Sequence, residues 1–415
     1  MTVHVAVQVD SHTITAGRLH SIVRRGRVAS TFSYEPEYLA DPRAYALEPA
    51  LTLLGGTQPT PGALPRCLQD AAPDRWGRNL IAKRHRAEAS ADGRVAAALD
   101  GRDYLLGVSD ETRQGALRVS ASAGGPYLAA GTEVPKLVSL PRLLRAADAV
   151  AAGDDDLGAV KALLDAGTGS LGGARPKASV RDGDRLMIAK FPHPADEWDV
   201  MAWEKVALDL AESAGIAVPR SSLVDVGGRS VLLVERFDRA AGGRVGYISV
   251  MTLLESDDGD ARDYLDIADE LPVHSSRATA DLRELFRRVA FNIAVHNTDD
   301  HLRNHGLLRE GPGWRLSPAF DVNPNPEPAA IRVTMVGGAS GPADEARALM
   351  RACEMFGLDR GGAAAIVREV VDAVRGWRSC AVSTGIRGAE VEQFSDVFGA
   401  GLAALESAVV DPLDR

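Results

Sequence analysis

Cysteine is nearly missing from this 415-residue chain: Cys67, Cys353 and Cys380 are odd in number and far apart. Such spacing builds neither a disulfide framework nor a zinc cluster. No apolar run reaches membrane-spanning length, and no charged-then-apolar signal segment follows Met1. The alternating Val3-His4-Val5-Ala6-Val7-Gln8-Val9 reads as a strand instead. A cytoplasmic protein with no membrane association is the expectation. Positive charge is also short, with 47 Lys and Arg against 57 Asp and Glu, a net −10. That balance lacks the basic footprint that unaided nucleic-acid binding needs, and it keeps a protein soluble. It leaves room for a localised patch or a basic partner. There is no internal repeat, no fused helix-turn-helix, and no Walker-type Lys-Ser/Thr pair after the glycine-dense stretch.

What is present sharpens along the chain. Residues 1 to about 115 read as a mixed module that opens on alternating strands. Within it, Pro73-Asp74-Arg75-Trp76-Gly77-Arg78 is a turn leading into a helix. Alanine and leucine suggest helices over 138–151 and 157–166. Gly167-Thr168-Gly169-Ser170-Leu171-Gly172-Gly173-Ala174-Arg175-Pro176-Lys177 is a tight loop, followed by a strand, a turn at Asp182-Gly183, and a return strand Leu186–Phe191. Leu186, Ile188 and Lys190 share one face of that strand. A helix is expected from Glu197 to Ala214, capped by Asp196, with Glu204 beside its apolar stripe. Strands follow near 218–226 and 230–237. The second half reads as helical, with an amphipathic helix through Leu282, Leu285, Phe286, Val289 and Ile293 that ends just before Asn297. A hairpin turns around Gly311-Pro312-Gly313, and helices are expected over 342–357, 361–377 and 388–409. The domain reading is 1–115, 116–245 as a nucleotide lobe, and 246–415 as a helical catalytic lobe.

Two short segments carry the chemistry: Thr298-Asp299-Asp300-His301-Leu302-Arg303-Asn304 and Ser317-Pro318-Ala319-Phe320-Asp321. An aspartate, an asparagine five positions on, and a second aspartate beyond a hairpin match what phosphoryl transfer requires. One carboxylate handles the nucleophile's proton, while an amide oxygen and another carboxylate hold magnesium. A glycine loop lets backbone N–H groups approach phosphate oxygens, although alone it is weak evidence. Lys190 gains meaning from order: loop, strand, turn, lysine strand, then a helix bearing Glu204, its ion-pair partner in a kinase. An ATP-dependent phosphotransferase is expected. The rival is a metal-dependent hydrolase, since His296, His301 and His305 flank Asp299 and Asp300. It leaves Lys190 and the glycine loop unexplained, and the helix ends too early to put His301 and His305 on one face.

These residues resemble the HipA family of bacterial serine/threonine kinases, the toxin halves of HipBA-type toxin–antitoxin systems. The resemblance rests on Gly173-Ala174-Arg175-Pro176-Lys177, Lys190, Val234-Glu235-Arg236-Phe237-Asp238-Arg239, the Asp299–Asn304 loop and Phe320-Asp321, together with Pro73–Arg78 in the opening module. It implies an α+β, protein-kinase-like two-lobed fold with a family-specific N-terminal mixed α/β domain. It also implies Asp299 as catalytic base with His301 bracing its loop, and Asn304 and Asp321 as magnesium ligands. Gly172, Gly173, Ala174, Arg175, Lys177 and Lys190 would surround the ATP phosphates. Glu235 and Phe237 would pair with adenine through backbone groups, and Ser170 falls where relatives carry an autophosphorylated serine. Implied partners are a HipB-like helix-turn-helix antitoxin, DNA chiefly through that antitoxin, and a protein substrate, for which an aminoacyl-tRNA synthetase is the family's example. A catalytically silent co-repressor module is the alternative. Pro176 stands where some relatives have an acidic residue. Val333-Thr334-Met335-Val336-Gly337-Gly338 offers no clear substrate-reading residue.

Overall fold

The computed structural model describes residues 2–9, 11–25, 27–127, 134–153, 156–167, 175–240 and 243–410. They form two compact units, Met1–Ala195 with Asp225–Ile248, and Asp196–Val224 with Ser249–Arg415.

The first unit opens on an antiparallel sheet in the order Gln58–Pro59, Arg27–Tyr34, His12–Arg24, Thr2–Val9, Leu117–Ser120. Val3, Val5 and Val7 point into the core, as alternation requires. Ala6 is buried too, and the register with the next strand shifts between Val5 and Ala6, where Ala16 of that strand is the extra, fully buried residue. Gly17 is obligatory: a Cβ on it would lie 2.5 Å from the Phe32 ring and from Ser33 O. The fully buried Phe32 ring therefore lies across a strand position that has no side chain. Asp74 starts the Arg75–Ala91 helix by accepting from Gly77 N–H at 2.7 Å. Helices Leu140–Ala151 and Leu157–Asp165 stand where alanine and leucine suggested. Lys177–Asp182 and Arg185–Lys190 then pair antiparallel around the Gly183 turn (φ +59°), and Arg185–Lys190 pairs with Ser230–Glu235 on its other edge.

The second unit is mostly helical. Its central helix, Ala278–Ala294, buries Leu282, Leu285, Phe286, Val289 and Ile293, the stripe read from sequence. Four of the expected helices differ in their bounds. The helix expected from Glu197 runs Val200–Ser213, because Asp199 rather than Asp196 caps it, accepting from Ala202 N–H at 3.0 Å. The helix expected to end at 357 stops at Arg351 and gives way to a 3-10 turn, Cys353–Phe356, closed by left-handed Gly357. The remaining two are each broken, giving Arg360–Val374 with Trp377–Ser383, and Gly388–Gln393 with Ser395–Val410. The breaks let aromatics converge: Trp203 stacks on Phe394 at 3.8 Å and Trp377 on Phe398 at 4.4 Å, while Trp203 Nε1–H donates to Glu390. Gly401 lets the last helix approach Ile293 O and Ala294 O, at the end of the central helix. Among the described residues, no helix is long and apolar enough to cross a membrane.

Candidate active site

The central helix ends in a tight reversal. His296 adopts a left-handed conformation (φ +54°), and Asn297 N–H folds back onto Asn292 O at 3.0 Å. Glycine is the usual residue at such a helix end; a side chain there is strained and must be held by its surroundings. His296 Nε2 meets Glu327 O at 3.0 Å, and Asn325 N–H donates to His296 O at 3.1 Å. The loop thus delivered carries Asp299 and Asp300, then the 3-10 turn Leu302–Asn304 and the hairpin Gly306–Glu310/Gly313–Leu316.

The two neighbouring aspartates have opposite environments. Asp300 is buried, and its Oδ2 accepts from Asn292 Nδ2 at 2.8 Å, from Tyr264 O–H, and meets His305 Nε2 at 2.8 Å. Burial alone would push its carboxyl up, but His305, Tyr264 and Arg332 together hold it below the usual range. Asp299 is open to solvent. Partial loss of hydration raises its pKa, and Asp321 and Asp300 add to the rise, while His301 opposes it. The influence of Asp321 brings the second sequence segment to the first. Asp321 is itself left-handed (φ +59°), with Asn323 Nδ2 3.4 Å from its Oδ1. Asn304 donates its amide N–H to Asp299 O at 3.2 Å, which orients its side-chain oxygen away from that bond. An amide oxygen and a carboxylate are hard donors of the kind magnesium takes, and a cation there would relieve the repulsion between Asp299 and Asp321.

The loop is braced by residues that the sequence reading missed. Arg332 and Glu345, both buried, form a bidentate pair with 3.1 and 3.2 Å contacts. The same guanidinium donates to Asn297 O and to Asn292 O. Val333 N–H donates to Thr298 O at 2.9 Å, and Asn325 Nδ2 to Thr298 Oγ1 at 2.8 Å. One cue was available: Asn292 interrupts an apolar stripe one turn before the loop. Arg332 and Glu345 gave none, since their pairing is long-range. Beneath the loop, a small cavity is lined by Asn292, Asp300, Asn304, His305 and Phe320.

The histidines do not converge as a zinc site would. His305 engages Asp300 and His296 engages a backbone carbonyl, whereas His301 precedes the 3-10 turn. Among the described residues, no group of three His, Cys, Asp or Glu is placed to hold a metal.

In the first unit, Lys190 is half-buried and sits directly opposite Lys177 on the same sheet face. Lys177, expected at the phosphates, is 3% exposed, and its Nζ lies 2.9 Å from Asp74 Oδ2 in the Pro73–Arg78 motif. Two like charges at cross-strand distance repel, and Asp74 offsets one of them. Arg175 is half-buried. Glu235 ends its strand, with Arg185 Nη1 3.7 Å away. The next residues alternate: Arg236 and Asp238 are buried and paired, while Glu235 and Phe237 are not fully buried. Arg236 also donates to Thr112 O, and Gly115 N–H donates to Asp238, so this segment is pinned on both sides. Glu204 is buried in the Val200–Ser213 helix of the second unit. Ser170, Gly172, Gly173 and Ala174 lie outside the described residues.

Comparison with known proteins places this arrangement. The architecture is a mixed α/β fold of the HipA type. Over 97% of this chain and 96% of the other, it matches the solved HipA of Shewanella oneidensis MR-1, from a complex of HipA, HipB and operator DNA (TM-score 0.67, 15% identity). The HipA-like C-terminal domain model matches residues 169–377 and the HipA N-terminal domain model residues 7–100. The chain belongs to the HipA family. It is also 31% identical over 137 residues to "Putative kinase Y4dM" of Sinorhizobium fredii (strain NBRC 101917 / NGR234), a match covering 29% of this chain and about a third (32%) of that relative's length. A Helicobacter pylori proinflammatory kinase, CtkA, aligns over 56% of this chain and 92% of its own at 13% identity and TM-score 0.45.

Proposed function

We propose that this protein is an ATP- and magnesium-dependent serine/threonine protein kinase. The observation that carries the reading is the solvent-exposed Asp299 carboxylate, on one loop with Asn304 and within electrostatic reach of Asp321. In the reaction, an acceptor hydroxyl oxygen forms a bond to the γ-phosphorus of ATP. The bond from that phosphorus to the β–γ bridging oxygen breaks, ADP departs, and the hydroxyl proton passes to Asp299. A raised carboxyl is a better proton acceptor than an ordinary aspartate. Asn304 and Asp321 would hold magnesium, which supplies charge neutralisation on the phosphates. Lys190 would add a positive charge on the phosphate side. The backbone at Glu235 and Phe237 would take the adenine. Positioning and charge supply most of the catalysis.

Family membership supports an antitoxin of the HipB type as partner, with DNA reached chiefly through it. The acidic balance of this chain agrees with that indirect route. The substrate is a protein hydroxyl, and an aminoacyl-tRNA synthetase is the candidate that family resemblance suggests. A phosphate on Ser170 would add a charge of about −1.5 to −2 next to the glycine loop and silence the enzyme.

Calorimetry of ATP binding with and without magnesium, for the natural protein and Asp321→Asn, tests the nucleotide site. Magnesium-dependent binding that the substitution weakens is expected. Asp299→Asn should leave ATP binding intact and lower transfer by about 10²- to 10⁴-fold. Normal transfer by that variant sinks the assignment. Tight antitoxin binding by a protein that never turns over ATP would favour the silent co-repressor module.

A further inference from the structure

The segment that braces the catalytic loop is inside out. Ile331 is 74% exposed, Arg332 5%, Val333 55% and Thr334 2%. A half-buried segment ordinarily turns its hydrocarbons in and its polar groups out. Here a guanidinium and a hydroxyl point into the protein, and two β-branched side chains point out. The inward Arg332 is accounted for by Glu345 and the carbonyls of Asn292 and Asn297. Among the described residues of the second unit, none accounts for the outward pair. Single exposed hydrophobics are ordinary. Two on one side of a segment bonded to the catalytic loop are a different matter.

The segment is also held in place. Val333 N–H donates to Thr298 O, Tyr264 N–H donates to Met335 O at 3.0 Å, and Gly338 N–H donates to Asp263 Oδ2 at 2.9 Å. Pro324, Pro326 and Pro328 stiffen the chain leading into it. Val333 is thus bonded to the residue immediately before Asp299. An extended polypeptide advances roughly 3.3–3.6 Å per residue. A chain that presents a hydroxyl to Asp299 therefore has its neighbouring residues within reach of Val333 and Ile331.

We propose that Ile331 and Val333 form the docking surface for the acceptor polypeptide, selecting an apolar side chain within about three residues of the phosphorylated serine or threonine. This rests on the phosphotransfer reading and deepens it. The occupant is the acceptor rather than a second copy of the chain, because a permanent neighbour there would obstruct access to Asp299. The segment that looked unpatterned in the sequence is in this reading the one that reads the substrate.

The test uses full-length protein, Mg-ATP and arrayed serine and threonine peptides whose flanking residues are apolar or charged. The natural protein is compared with Ile331→Ser/Val333→Ser and with the conservative Ile331→Val/Val333→Ile. A preference of about tenfold or more for apolar flanks is expected in the natural and conservative proteins. The serine variant should lose it through a raised KM, with kcat and Mg-ATP affinity unchanged. A preference that survives in the serine variant, or no preference in the natural protein, overturns the docking surface alone. Absence of transfer to any peptide by natural protein that binds Mg-ATP overturns the phosphotransfer reading and this surface with it. A natural dimer that the serine variant dissociates assigns the surface to a second copy and also overturns the proposal.

Discussion

Removing the negative half of the Arg332–Glu345 pair should damage both stability and loop placement, and the two effects can be separated. Glu345→Gln keeps shape and one hydrogen bond but leaves a guanidinium buried without its counter-charge. Breaking one side of a buried pair costs about 3–5 kcal/mol. The carbonyls of Asn297 and Asn292 temper this but carry no net charge. Arg332→Met/Glu345→Met removes both charges, so the large penalty disappears. What remains is Asn297 O without its Arg332 donor, at about 1–3 kcal/mol. Asn292 O still receives Asn297 N–H. Urea denaturation should therefore rank natural protein first, the double variant close behind, and Glu345→Gln last. Phosphoryl transfer should not follow that ranking. Both variants should fall by tenfold or more, since a 1 Å displacement of a catalytic group costs about 10²-fold. A double variant with restored stability and natural transfer rates would refute the reasoning, because the brace would then matter only to folding.

Three more outcomes follow from single positions. Gly401→Ala, which normally gains about 1 kcal/mol within a helix, should lose about 1–3 kcal/mol here by overpacking, because its Cβ would lie 2.4 Å from Ile293 O; a raised melting temperature would count against this packing. Glu48 is almost fully buried, and desolvation pushes its carboxyl up from 4.5 to about 7. The folded state therefore holds the proton more tightly than the unfolded state. The contribution is fully present below pH 4.5 and is lost as pH rises through about 7, an effect of about 3 kcal/mol. Glu48→Gln should flatten the stability profile across that window in pH-dependent urea titrations, and an unchanged slope would exclude it. Asp74→Asn keeps the helix cap but strips Lys177 of its charge partner. Stability should drop by about 3–5 kcal/mol, with weaker Mg-ATP binding by calorimetry because the exit of the glycine loop is no longer pinned; unchanged values of both would leave that pair without a role.

Local patterns were legible in the sequence, and long-range electrostatics were not. The stripe through Leu282, Leu285, Phe286, Val289 and Ile293 announces its helix, since period 3.6 is a property of neighbours along the chain. The Gly183 turn and the strands around it are equally local. The boundaries that moved did so because capping depends on which of several polar residues closes a bond: Asp196 and Asp199 are equally plausible until Ala202 N–H chooses. The bond from Lys177 to Asp74 is invisible in the sequence because Asp74 lies 103 positions upstream. Arg332, Glu345 and Tyr264 escaped notice for the same reason. No period or spacing links them to the loop they hold. Exposure was hidden as well. Ile331 and Val333 look like ordinary strand residues until their neighbours prove to be the buried ones.

The adjacent pair Asp299-Asp300 shows how environment divides labour between chemically identical groups. Either carboxylate satisfies a sequence pattern for a proton acceptor. Asp300 is surrounded by Tyr264, Asn292 and His305, all directed at one oxygen, and its proton affinity is driven down. A weakly basic, fully engaged carboxylate can anchor a loop but cannot take a proton from a hydroxyl without abandoning its partners. Asp299 faces solvent with its proton affinity driven up by lost hydration and by Asp321. Pulling two titratable groups apart in this way separates anchor from base. The anchor also explains the strain next to it: left-handed His296 persists because Asp300, Arg332 and Asn325 fix the backbone on both sides of it. The cost of that strained turn is met by buried polar bonds, and its return is a carboxylate held rigidly at the surface, where the proposed acceptor would reach it.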